Sequence, residues 1–343
     1  MRVVVAEDSV TARHLLVTLL SDDPVIEVVG EAANGLEAIE LTRRLRPSVV
    51  VMDIRMPVMD GFEATKRIMI EVPTSVVVVT AAADAEVEFG LRAVQLGALT
   101  LLPKPTAPGD PAFPAQAARL VSLVKAFSDV KVVRRRDAGV TSHPGQAAPA
   151  PGGTVEIVAV AASTGGPAVL YRLLERLPRT STTPFVVVQH IAEGFTAGLV
   201  SWLGSGTPLP VKVAEQGEQL TAGTIYIAAE QRHLEVTDHG TVALSDEPAV
   251  GGFRPSATVL FRSVAVNYGP AAVVVVLTGM GRDGLEGVVA VRNAGGRVLA
   301  QDEASSVVFG MPGAVVAEGL ADVVGPVEVL ADRLGGMLSR RSP

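Results

Sequence analysis

Three side chains capable of acyl chemistry each stand where an apolar run gives way to a turn. Ser163 lies in Ala161-Ala162-Ser163-Thr164-Gly165-Gly166-Pro167, after the run Val155 to Val160. His190 ends the run Phe185 to Gln189, and Asp283 lies in Thr278-Gly279-Met280-Gly281-Arg282-Asp283-Gly284, after Ala271 to Leu277. In an open parallel sheet, ligands bind beyond the carboxyl ends of the strands, so this placement brings a hydroxyl, an imidazole and a carboxylate to one rim. Together they are what a serine hydrolase requires: a nucleophile, a general base, and an anion that orients the base. Taken alone, Ser163 reads equally well as a helix N-cap or part of a phosphate cradle. The spacing predicts a helix over Ala168 to Leu177 with Ser163 at its N-terminus, and with Gly165 and Gly166 clearing space for a ligand. The glycine-flanked turn around Met280 can aim a backbone N–H at a developing oxyanion. His14, His143, His233 and His239 read as structural, whereas His190 is set apart by its strand-end position.

A second constellation lies earlier in the chain. Glu7 and Asp8 follow the run Arg2 to Ala6, Asp53 follows Pro47 to Met52, Thr80 follows Ser75 to Val79, and Lys104 follows Leu99 to Leu102. Three carboxylates at one rim repel one another and favour a divalent cation; oxygen ligands suit magnesium, which also neutralises charge on an incoming phosphoryl group. Asp53 can then act as a nucleophile on that group, giving an acyl phosphate. Lys104 would be a point charge for the phosphate oxygens, and Thr80 a hydroxyl that moves to meet them.

The elements that must position these groups follow from periodicity. Between the early apolar runs, helical spacing recurs over Val10 to Leu20, Gly35 to Leu45, Phe62 to Ile70, Glu86 to Leu96 and Pro114 to Phe127, with a further strand at Val25 to Gly30. Strict alternation predicts a doubly wound sheet of five parallel strands with right-handed crossovers over residues 1–128. Residues 129–153 change character, with Lys131-Val132-Val133-Arg134-Arg135-Arg136 followed by an Ala/Pro/Gly-rich stretch, and read as a tether. Residues 154–343 read as a second α/β domain with a mixed but largely parallel sheet. Its further elements are a segment at Phe195 to Leu203 with the only tryptophan, Trp202, helices at Ser256 to Asn267, Leu285 to Asn293 and Pro312 to Glu318, and strands at Val211 to Ala214, Thr224 to Ile227 and Arg297 to Ala300. His233 to Thr237 and Thr241 to Leu244 form a predicted hairpin across Asp238-His239-Gly240.

Composition narrows the field. A chain of 343 residues can bury two cores, and 48% hydrophobic with only 4% aromatic residues fits Val/Ala/Leu-rich sheets rather than a base-stacking surface. The net charge of −7 argues against nucleic acid as a partner. The absence of cysteine excludes disulfides, thiolate metal sites and a cysteine nucleophile. No apolar run approaches the roughly 20 residues needed to span a bilayer, and the first residues read as a strand rather than a signal segment. A cytoplasmic protein with no membrane insertion is the expectation.

Several long motifs resemble those of the chemotaxis protein-glutamate methylesterases, the CheB family. They are the Ser163 and Asp283 turns, Val187-Val188-Gln189-His190, Arg254-Pro255-Ser256, and Ala300-Gln301-Asp302-Glu303-Ala304-Ser305-Ser306-Val307-Val308-Phe309-Gly310-Met311-Pro312. The early half resembles the flavodoxin-like receiver domain of two-component response regulators through Glu7-Asp8, Asp53 with Met56-Pro57-Val58-Met59-Asp60-Gly61, Thr80 and Lys104-Pro105. The receiver likeness implies phosphorylation at Asp53 by a histidine kinase, with magnesium on Glu7, Asp8, Asp53 and the backbone carbonyl of Arg55. The methylesterase likeness implies hydrolysis of glutamate γ-methyl esters on chemoreceptors without a cofactor, deamidation of receptor glutamines at the same site, and the Met280 amide as oxyanion donor. Three departures stand out: Leu101 where many receivers have an aromatic switch, Glu193 where the family often has proline, and Thr258 where an acidic residue is common. The first removes an aromatic rotamer switch, leaving Thr80 and the fourth helix to carry a signal. The other two are expected to tune receptor choice without touching the triad. A phospho-switched adaptor with no turnover and a DNA-binding output are the rival readings. The adaptor predicts that losing Ser163 changes nothing, and the acidic balance disfavours the second.

Overall fold

A computed structural model of the chain describes residues 1–80, 100–128 and 154–339. It divides into two compact units, Met1–Thr141 and Ser142–Pro343. The expected helix Glu86 to Leu96, the tether and His143 lie outside the described residues. Among the described residues, no helix is long and apolar enough to cross a membrane.

In the first unit, β1 (Arg2–Ala6), β2 (Glu27–Ala32), β3 (Val49–Asp53), β4 (Ser75–Thr80) and β5 (Thr100–Pro103) form one sheet in the order β2-β1-β3-β4-β5. Every pair is parallel. Helices α1 (Val10–Ser21), α2 (Gly35–Leu45), α3 (Gly61–Glu71) and α4 (Phe113–Phe127) complete it. All of β3 and β4 is buried, which is why these strands read as continuous apolar runs rather than as alternation. β2 lies two residues later than its apolar run suggests, because its pairing with β1 is irregular between Val3 and Val4 and begins at Glu27. The strand order reverses between β1 and β3, the crevice where ligands of such sheets bind, and Glu7, Asp8 and Asp53 lie there.

The second unit carries a seven-stranded sheet in the order β14-β13-β12-β6-β7-β9-β8. The strands are β6 (Ile157–Ala162), β7 (Phe185–Gln189), β8 (Val211–Val213), β9 (Ile225–Ile227), β12 (Ala272–Val276), β13 (Arg297–Gln301) and β14 (Val323–Gly325). All its ladders are parallel, so the expected mixture is absent from this sheet. The antiparallel pair β10 (His233–Val236) and β11 (Val242–Ser245) is a separate hairpin across the predicted turn. Helices α5 (Gly166–Leu174), α6 (Thr196–Gly206), α7 (Ala257–Tyr268), α8 (Leu285–Asn293), α9 (Met311–Ala317) and α10 (Val327–Leu338) flank the strands. Two elements go unpredicted from sequence: β14, too short to show a period, and α10, which buries Val327, Leu330, Ala331 and Leu334. Here the order reverses between β6 and β12, placing the turns of Ser163 and Asp283 on either side of the switch point.

Candidate functional site

Register brings the three groups to one rim. β6 pairs with β7 up to Ala162 and Gln189, and with β12 up to Ala161 and Val276. Ser163 and His190 are the next residues along, tied by His190 N–H donating to the Ala162 carbonyl at 2.9 Å. Ser163 N–H donates to Thr278 at 3.0 Å, and its carbonyl accepts from Gly166 N–H and from Gln189 Nε2, each at 2.8 Å. The serine is 9% exposed. It does not sit at the helix N-terminus as the spacing suggests: α5 begins at Gly166 with Gly165 as its N-cap, so a turn separates Ser163 from the first helical residue. The two glycines also serve a purpose other than ligand space. A Cβ at Gly165 would lie 2.5 Å from Val307, and one at Gly166 would lie 2.3 Å from Gln189 Oε1.

His190 and Asp283 are in direct contact, Nε2 to Oδ2 at 2.9 Å. A carboxylate only accepts, so Nε2 carries the proton and the ring's lone pair is on Nδ1. Nδ1 is buried and without a hydrogen-bond partner among the described residues. This is the reverse of the common arrangement, in which Nδ1 faces the acid. Asp283 is 8% exposed yet well satisfied. Its Oδ1 accepts from Ser256 Oγ at 2.7 Å, Gly284 N–H at 2.9 Å and Thr258 N–H at 3.2 Å, while Oδ2 also accepts from Ala257 N–H at 2.7 Å. Burial alone would raise its pKa, but the hydrogen bonds from His190 and Ser256, the His190 charge and the Ala257 N–H bring it down to about 2. The carboxylate thus lies over the first turn of α7, whose N-cap is Ser256, where orphan N–H groups and the helix dipole favour an anion.

Ser256 and Ala257 carry no role in the sequence reading beyond opening a helix, although Ser256 falls in the Arg254-Pro255-Ser256 motif. Thr258 corrects an expectation. It is buried, its N–H bonds the triad carboxylate, and its Oγ1 accepts from Gly284 N–H at 2.9 Å, so it faces inward rather than toward a receptor. Glu193 is exposed and receives Gln231 Nε2 at 3.3 Å, on the rim of a depression also lined by Gln189, Glu230 and Arg254. The Met280 N–H has no hydrogen-bond partner among the described residues. Its turn is fixed by Gly279, whose amide donates to Val308 and whose carbonyl accepts from Gly310 and Met311. A Cβ at Gly279 would lie 2.8 Å from Ser163 Cβ and 2.4 Å from Met311 Sδ. Gly279→Ala is therefore expected to displace Ser163 and cost on the order of 1–3 kcal/mol, with ester turnover falling more steeply than the thermal midpoint. An activity loss no larger than the stability loss predicts would show that the contact does not position the serine.

In the first unit, carboxylate oxygens of Glu7, Asp8 and Asp53 lie within 4.8 Å of one another. Glu7 and Asp53 are buried and Asp8 is exposed. Lys104 Nζ stands 2.9 Å from Glu7 Oε2 and 3.0 Å from Asp53 Oδ2. Burial, together with the neighbouring Glu7 charge, raises Asp53 to about 6 against the pull of Lys104. Glu7 Oε2 is buried and has only the Lys104 ammonium as a partner among the described residues. An under-satisfied buried oxygen within a crowded set of hard anions fits a divalent cation. Thr80 is buried at the end of β4, its carbonyl accepting from Lys104 N–H at 2.8 Å, and Leu101 is buried in β5. Arg55 lies in the exposed loop after β3.

Comparison with known proteins agrees with this layout. The sequence model described as CheB methylesterase matches residues 158–334, and that of the response regulator receiver domain matches residues 3–110. A protein-glutamate methylesterase/protein-glutamine glutaminase of Myxococcus xanthus is 54% identical over 340 residues, covering 97% of this chain and 96% of that one. One from Anaeromyxobacter dehalogenans is 52% identical, covering 99% of each. The crystal structure of the Thermotoga maritima CheB methylesterase catalytic domain is 37% identical, with a TM-score of 0.52 over 54% of this chain and 99% of its own. With both halves matched in order and relatives alike from end to end, this chain belongs to the CheB methylesterase family.

Proposed function

We propose that this chain is a phosphorylation-activated methylesterase of chemotaxis, hydrolysing glutamate γ-methyl esters on chemoreceptors to glutamate and methanol and deamidating receptor glutamines at the same site. The observation that carries this reading is the His190–Asp283 pair beside Ser163 at the switch point of the sheet. Ser163 Oγ attacks the ester carbonyl while Nδ1 of His190 takes its proton. Asp283 stabilises the imidazolium so formed, and the Met280 N–H receives the oxyanion, a donor worth about 3 kcal/mol. Collapse returns the proton to the departing methoxide, leaving an acyl-serine. Water, deprotonated by His190, then releases the glutamate carboxylate and restores the serine. A glutamine amide follows the same course with ammonia leaving.

In the receiver half, Glu7, Asp8, Asp53 and the Arg55 carbonyl would hold magnesium, which offsets charge on the incoming phosphoryl group. Asp53 accepts that group from a chemotaxis histidine kinase, Lys104 ties its oxygens, and Thr80 follows it. The exchange of Lys104 from carboxylates to phosphate shifts the receiver between two states, of which the phosphorylated one raises turnover. The working compartment is the cytoplasm, where kinase and receptor signalling helices are found.

The reading is tested with methylated receptor fragments, following methanol release and peptide mass. Loss of a methylene marks ester hydrolysis, and a gain of about one mass unit marks deamidation; the absence of both changes would end the reading. Acetyl phosphate with magnesium is expected to raise the rate, and Asp53→Asn to abolish the rise while keeping the basal rate. Equal rates with and without the phosphodonor would remove the regulatory half and leave the hydrolase.

A further inference from the structure

One face of the His190 imidazole is covered. Phe253 lies against it with ring centroids 4.1 Å apart and planes only 5° from parallel. A two-residue turn delivers the ring. Val250 and Phe253 exchange backbone hydrogen bonds of 3.1 and 3.0 Å across Gly251 and Gly252, whose φ values of 61° and 86° suit a type I′ hairpin turn. That turn is held between two fixed points. His233 is fully buried; its Nδ1 accepts from Ser256 N–H at 3.2 Å, so its proton is on Nε2, which donates to the Pro248 carbonyl at 3.2 Å. Pro248 precedes the turn and Ser256 follows it, and Ser256 Oγ in turn holds Asp283. A single buried imidazole therefore clips the segment that supplies both the ring over His190 and the hydroxyl on its acid.

We propose that Phe253 is a positioning residue for acyl transfer, its ring face holding the His190 imidazole in the plane that joins Asp283 to Ser163 and stabilising the imidazolium that forms there. The proposal rests on the assignment of His190 as the base. An aromatic face carries negative potential, and a cation within about 6 Å of its centroid is attracted, more so away from water. His190 is neutral before attack and charged in the transition state. The attraction is thus larger in the transition state than in the ground state, the condition for a rate gain rather than tighter binding. The other charged groups nearby are committed elsewhere. Arg254 Nη1 donates to the Asp246 and Glu247 carbonyls at 3.1 and 3.4 Å. Glu230 accepts from Gly194 and Thr196 N–H, and Glu193 from Gln231. Asp283 alone among them contacts the ring.

The test replaces Phe253 in the full-length protein with phenylalanines carrying one, two and three ring fluorines. Shape is nearly constant along this series while the negative potential of the face falls stepwise. Phe253→Leu keeps the apolar cover without the face, and Phe253→Trp strengthens the face. Two quantities are read: the pH profile of kcat/KM for methanol release, and the NMR titration of His190. Weakening the face destabilises the imidazolium, so the acid limb moves to lower pH while the plateau falls. The trifluoro and leucine variants are expected to lose roughly 5- to 30-fold in kcat/KM, with the limb and the His190 titration both moving down, and tryptophan to move them up. A His190 titration unmoved along the fluorine series overturns the proposal, whatever the rates do. If the parent protein releases no methanol at all, the hydrolase reading fails, and the titration still decides whether the ring pair interacts as described.

Discussion

Asp283→Asn is expected to lower kcat by about 10⁴, the scale of the loss when a triad acid becomes an amide and the base takes the wrong tautomer. The geometry here makes the reason specific. Oδ2 accepts from His190 Nε2 and Ala257 N–H, and Oδ1 accepts from Ser256 Oγ, Thr258 N–H and Gly284 N–H. An amide offers one oxygen for those five donors. With its NH2 toward His190, the ring must present a lone pair at Nε2 and carry its proton on Nδ1, where it can no longer receive one from Ser163. The same NH2 then opposes the Ala257 N–H. With its NH2 toward the α7 turn, up to three donors are opposed instead. Either way at least one buried donor loses its acceptor, which costs about 1–3 kcal/mol. The pH dependence carries a second signature. The folded pKa of about 2 lies below the ordinary carboxylate value, so the stability this group contributes is full above about pH 4 and is lost as pH falls through 2. From that shift the contribution is of the order of 2–3 kcal/mol. Acid unfolding of the asparagine variant should be correspondingly flatter between pH 4 and 2. A variant that turned over ester at the parental rate would show that His190 does not depend on this carboxylate.

The parts of the molecule legible from sequence are those whose physics is local. Fully buried parallel strands read as unbroken apolar runs, and the chemistry stands at their ends, so Glu7, Asp53, Ser163, His190 and Asp283 could be placed on the rims before any coordinates. What escaped depends on contacts between segments distant in the chain. Thr258 reads as a surface variation on a helix, yet its N–H meets a carboxylate 25 residues away. His233 reads as one more structural histidine, and its two hydrogen bonds reach Pro248 and Ser256 in a segment with no regular period. Phe253 follows two glycines that announce a turn, but nothing local says which ring the turn will cover. The orientation of His190, with Nε2 rather than Nδ1 toward the acid, rests on a contact with a residue 93 positions away, which no local pattern announces.

Ser163→Ala should be the most damaging change to turnover and among the least damaging to the fold. Every hydrogen bond fixing residue 163 uses its backbone: N–H to Thr278, carbonyl from Gly166 and from Gln189 Nε2. Removing Oγ leaves that frame and the His190–Asp283 pair intact, so the thermal midpoint should move by no more than a few degrees. Ester hydrolysis should fall by about 10⁴- to 10⁶-fold, the range seen when a triad nucleophile is deleted. Methyl groups then persist on receptor fragments, while Asp53 still accepts phosphate from acetyl phosphate, because that site lies in the other compact unit. A protein that worked only as a phospho-switched adaptor would show no change in receptor methylation. Combining Ser163→Ala with Asp283→Asn provides the sharper criterion. Groups that act as one unit lose their effect together, so the double variant should be barely slower than Ser163→Ala alone. The stability cost of the amide, which arises from the α7 donors and not from the serine, should remain in full. Losses in rate that multiplied would mean that the serine and the carboxylate act on separate steps, and the single unit in which His190 takes the Ser163 proton while Asp283 stabilises the imidazolium would have to be abandoned.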